Sequence, residues 1–90
     1  MKSLRYTQEE FLEIITRYNN TDRKVITINL IMLYKKLGIK NKTVIEETGY
    51  SNYKVNSWTA LSSPNIPMFE DALLLAVKYG FDIQELIKEN

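Results

Sequence analysis

The chain contains no cysteine and no histidine. Without cysteine there is no disulfide framework and no thiolate zinc site. Without histidine the commonest general base and the commonest metal ligand are both missing. Three glycines and two prolines in 90 residues leave no glycine-rich phosphate loop, no linker and no low-complexity segment. No apolar run approaches the ~18 residues that span a bilayer, and the opening MKSLRYTQEEF lacks the apolar core of a signal peptide. Paired carboxylates with a plausible pocket and a nucleophile with its base are absent too. The expectation is a cytoplasmic protein that is not an enzyme and uses no cofactor and no metal.

What is present is ordinary globular material. Hydrophobic residues make up 44% and charged residues 26%, a balance that argues against disorder and suits one domain of modest stability. The net charge is only +1, weak for a compact domain that binds a polyanion. Its distribution is uneven, however. The first forty residues carry eight Lys or Arg against four acids, and residues 61–90 carry two against five. A basic front and an acidic back would orient the molecule towards a polyanion.

Helical periodicity runs through the whole chain. Thr7 and Glu10 form a capping-box pattern, and Phe11, Leu12, Ile14, Ile15 and Tyr18 follow at helical spacing, so residues 8–18 read as an amphipathic helix. It serves either as an extra helix over the core or as a dimerisation or protein-partner arm. Asn19 to Asp22 reads as a turn. Ile26, Leu30, Leu33 and Leu37 share one face of a helix over 23–37 that closes at Gly38, although the β-branched run Val25–Ile28 alone would favour a strand. Residues 61–67 form a loop, and Pro67 suits the first turn of the next helix. From Met68 to Tyr79 apolar residues exceed a single stripe, which points to a helix central to the core or buried in an oligomer. After Gly80, Asp82 and Glu85 repeat the capping-box logic for a short last helix.

The most informative stretch is NKTVIEETGYSNYKVNSWTA, residues 41–60. Asn41 is placed as an N-cap, and Gly49 is the residue that takes a left-handed backbone without steric cost. Tyr50 is an apolar plug, Ser51 caps a second helix, and Val55 and Trp58 face inward. A helix, a glycine turn and a capped second helix form a helix-turn-helix. Glu46 and Glu47 should face away from any phosphate.

The order Val44, Gly49, Tyr50, Ser51, Val55, Trp58, continued by NIPMFEDALLLAVKYGFDIQELI, resembles the lambda-repressor-like family of bacterial and phage DNA-binding domains (Cro/repressor type) over roughly residues 26–88. The resemblance implies an all-α, compact five-helix bundle over 23–90, with residues 1–22 supplying an additional N-terminal helix on the same globular unit. It further implies a sequence-specific transcriptional regulator acting as a homodimer on double-stranded DNA, reading two half-sites about one helical turn apart. Carried over residue by residue, Ser51, Asn52, Tyr53, Asn56 and Ser57 fall where a recognition helix meets base edges. Asn can bond adenine bidentately, and the Tyr53 ring can touch a thymine methyl.

Lys40, Asn41, Lys42 and Thr43 open the first helix of the motif as a phosphate clamp. Lys54 is a further candidate phosphate contact, and the resemblance places Asn65 where the family touches the DNA backbone. The plain alternative for both groups is a solvated polar surface. Two positions depart from the family: Ile45 stands where a small residue is usual, and Asn41 where Gln is frequent. With no arginine on the reading helix, the commonest guanine contact is missing. A protein-binding module on the same scaffold, such as an antirepressor or an inhibitor of a host or phage protein, therefore stands as the alternative function.

Overall fold

Among the described residues, four of the six helical elements begin at a side chain that accepts a hydrogen bond from the first turn. In the computed structural model, which describes residues 6–62 and 65–89, the elements are α1 (Gln8–Asn20), α2 (Arg23–Leu37), α3 (Asn41–Thr48), α4 (Asn52–Ser57), α5 (Phe69–Tyr79) and a last 3-10 turn, Ile83–Leu86. Thr7, Asp22, Ser51 and Asp82 cap α1, α2, α4 and the last turn. Reciprocal capping boxes close at Thr7–Glu10 and Asp82–Glu85, satisfying amides that would otherwise lack a partner. Gly38, Gly49 and Gly80 end α2, α3 and α5 in the left-handed region. No strand occurs among the described residues, and the β-branched run Val25–Ile28 lies within α2.

Together the elements make a compact all-α globule with a Cα radius of gyration of 12.4 Å. The buried apolar side chains form one cluster drawing on every element. Ile26, Leu30, Val44, Val55, Leu75, Ile83 and Leu86 are almost fully excluded from water, each worth about 1.5–3 kcal/mol of transfer free energy. α1 joins this cluster through Ile14 and Tyr18. The Tyr18 ring meets Phe69 edge-on at 5.5 Å, and its hydroxyl donates to the Pro67 carbonyl. Asn29, buried on α2, donates to the carbonyls of Leu86 and Lys88 at 2.9 and 2.8 Å, fixing the last turn against that helix.

Several expectations are corrected here. α1 runs on through Asn19 and Asn20, and Thr21 takes the C-cap. Leu37 is exposed; Tyr34 takes the inward place on that last turn of α2. Pro67 precedes α5 outside its first turn, because Met68 is the N-cap. The short element after Gly80 is a 3-10 turn that opens on the Asp82–Glu85 box and has the Asn29 amide on its last carbonyl, that of Leu86. As expected of a helix central to the core, α5 buries Ala72, Leu75 and Ala76; Leu74, and Met68 just before the helix, are exposed. Residues 1–5, 63, 64 and 90, which belong to the expected N-terminal segment, the 61–67 loop and the 23–90 unit, lie outside the described residues.

Candidate nucleic-acid interface

The amino end of α3 differs from the others. Lys40 occupies its N-cap position with extended backbone and makes no side-chain cap, and the first turn contains no acid. The amides of Asn41, Lys42 and Thr43 therefore have no side-chain acceptor among the described residues, and the exposed Lys40 and Lys42 flank them. Lys40 and Lys42 have no acidic partner among the described residues. α5 also lacks a side-chain cap, but Glu70 and Asp71 occupy its first turn and would repel an anion. Partial positive charge at a helix start, reinforced by lysines, is chemically an anion site. Beside it lies a shallow groove of about 340 Å³ lined by Tyr34, Lys35, Ile39, Lys40, Asn41 and Thr59.

Asn41 is not the N-cap. It is the first residue of α3, and its amide nitrogen reaches across the motif to Asn56 Oδ1 at 3.2 Å and Thr59 Oγ1 at 2.9 Å. One side chain from the expected phosphate set thus holds one from the expected base-reading set. Its own Oδ1 is buried without a hydrogen-bond partner.

The turn between the helices is closed locally. Thr48 Oγ1 donates to the Val44 carbonyl at 2.6 Å and accepts the Tyr50 amide at 3.2 Å, with Gly49 at φ 78° between them. Tyr50 then meets Trp58 edge-on at 5.7 Å and donates to Asp71 Oδ1 at 2.8 Å. Burial, with help from the Asp71 carboxylate, pushes the Tyr50 phenol up to about 12, so it stays protonated and donating at neutral pH. Val44, Val55 and Trp58 are buried, while Ile45 packs at the edge of the core.

The outward face of α4 divides into free and engaged residues. Asn52 and Tyr53 are exposed, Tyr53 to 79%, and neither side chain has a hydrogen bond or ion pair within the described residues. Ser51 Oγ accepts the Lys54 amide at 3.1 Å, and Ser57 Oγ donates to the Lys54 carbonyl at 2.7 Å. Asn56 is exposed but bonded to Asn41. Asn65 is exposed beside the far end of α4, with its amide 3.4 Å from the Ser57 carbonyl.

Lys54 points elsewhere. Its Nζ lies 3.1 Å from Asp71 Oδ2 and 4.2 Å from the Tyr50 ring centroid. A phosphate contact from Lys54 would require it to leave both. Glu47 accepts from the Tyr79 hydroxyl at 2.7 Å, on the side where α3 meets α5. Sequence reasoning missed Thr59 and Lys35. Thr59 lies three residues after Asn56, and Lys35 sits in the last turn of α2, but only the packed structure brings them to the α3 amino end.

Among the described residues no cluster of three or more His, Cys, Asp or Glu could hold a metal ion, and no helix is long and apolar enough to cross a membrane. No family model, curated protein or solved structure matches the chain.

Proposed function

We propose that the protein is a sequence-specific DNA-binding regulator with a lambda-repressor-like arrangement, in which α4, starting at Ser51, enters the major groove and the amino end of α3 holds a phosphate. The observation that carries this reading is the pairing of an uncapped, acid-free, lysine-flanked α3 terminus with an adjacent helix presenting Asn52 and Tyr53 uncommitted. Phosphate contacts set register and base contacts set sequence, and the Asn41 amide couples the two. Asn52 and Asn56 would read bases, Tyr53 would cover a thymine methyl, and Ser51 would donate its hydroxyl proton while still accepting the Lys54 amide. Lys40, Lys42 and the α3 amides would hold the backbone, with Asn65 at the far end of α4.

The cleanest test replaces Asn52 and Tyr53 together by alanine, because neither side chain supports the fold. Loss of footprint protection at the specific site, with weak non-specific binding retained, is the expected result. Unchanged protection would remove α4 as the reading element.

A protein-binding module is the second reading, favoured by one observation: Lys54, the only cation on α4, is already paired with Asp71. DNA binding must weaken steeply with added salt as counterions are displaced; a protein contact need not involve DNA at all.

A further inference from the structure

α5 carries two apolar faces, and the core uses one of them. Ala72, Leu75 and Ala76 are buried against the rest of the chain, whereas Leu74 is 43% exposed and Leu73 and Val77 are half-buried on the opposite side. These three leucine and valine side chains floor an open groove of about 600 Å³ rimmed by Glu70 at one end, Lys78 at the other and Glu47 along the side. Neither Glu70 nor Lys78 forms an ion pair among the described residues.

We infer that this face is the surface through which two copies of the chain pair, their α5 helices antiparallel across a twofold axis at Leu74. The argument is charge register. Glu70 and Lys78 stand four residues before and four residues after Leu74, so each lies on the groove about one turn from its centre. A twofold axis at Leu74 exchanges the two ends, setting Glu70 of each copy opposite Lys78 of the other. Leu74 then meets its own image, and Leu73 and Val77 fill the flanks. An isologous interface has to be complementary to itself in this way.

Other occupants fit less well. Two carboxylates and one ammonium on the rim disfavour a nucleic acid. The exposed Ile28 and Met32 on α2 are a poorer self-interface, because the groove beside Met32 is edged by Lys36 and Lys88 and its one acid, Glu85, is held in the capping box. Like charges would face each other there. The pairing does not rest on DNA binding, although it would supply the twofold partner that two half-sites call for.

Sedimentation equilibrium of the full chain without DNA tests the pairing. The wild type should be dimeric, and Leu74→Glu, which alters an exposed position, should weaken self-association at least about tenfold with an unchanged helical circular-dichroism spectrum. Glu70→Lys and Lys78→Glu should each weaken it, and the double exchange should recover most of the loss. A wild type that stays monomeric at its highest soluble concentration would overturn the inference. So would a dimer indifferent to Leu74→Glu, or a double exchange no better than either single change. DNA affinity is measured separately, so failure here leaves the reading of α4 untouched.

Discussion

Asn52 and Asn56 are both exposed asparagines on α4, yet removing them should have different consequences. Asn52 has no partner within the chain, so Asn52→Ala should leave the melting temperature unchanged and cost about 1–3 kcal/mol of discrimination at one base pair. Competition binding against a panel of single-base variants would show it. Asn56 accepts from Asn41, so its loss also loosens the motif. Asn41→Ala removes both amide bonds across the motif and should lower unfolding free energy by about 1 kcal/mol, while weakening binding to all DNA sequences alike. Urea denaturation paired with titration on specific and random duplexes separates the two effects. Asn41 reads in sequence as an N-cap and is the first residue of α3. Its helix-start position was legible to within one residue, but its bond to Thr59 spans 18 residues and depends on how the two helices pack. The Lys54–Asp71 pair is of the same kind: each partner looks like a solvated surface charge in sequence.

At the scale of the element, the readable features were the local ones. Caps at Thr7, Ser51 and Asp82 and glycine ends at Gly38, Gly49 and Gly80 each depend on residues within one turn, and each occurs as sequence chemistry dictates. Expectations weakened where tertiary contact decides. The dense apolar run of α5 signalled two faces but not which would be covered. Asn29 gave no signal at all, since a mid-helix asparagine becomes structural only when the last turn arrives to be bonded. Gly49 holds φ 78° with open space where a Cβ would go, so Gly49→Ala meets backbone strain alone. It should cost about 1–2 kcal/mol, seen as a lower denaturation midpoint. Lys42 at the α3 start is the corresponding functional probe. Lys42→Ala should weaken binding to every duplex and reduce the slope of log K against log salt by about one.

For the whole molecule, the raised phenols of Tyr34 and Tyr50 should weaken the fold at alkaline pH. Burial pushes Tyr34 up to about 12 from an ordinary 10.0, and Tyr50 likewise, the latter aided by Asp71. Below the ordinary value both folded and unfolded chains keep these protons, so the contribution is complete there. As pH rises through 10.0 to about 12 the unfolded chain releases protons that the fold retains, and stability falls. Urea midpoints should therefore decline over that window, with phenolate absorbance appearing as the protein unfolds.

The polarity of charge along the chain acts at the same scale. Lys40 and Lys42 at the α3 start and Lys35 beside them are gathered at the proposed DNA face, whereas Glu47 and Glu70 rim the groove along α5. A net charge of +1 conceals that separation.

The most direct test of DNA reading is a mobility-shift titration of the purified chain on the DNA flanking its own gene, with random duplex as control, at low and near-physiological salt. The account predicts preferential binding to the flanking DNA, weaker but still preferential at the higher salt. Equal weak binding to both duplexes, or none to either, would contradict it and favour the protein-binding module.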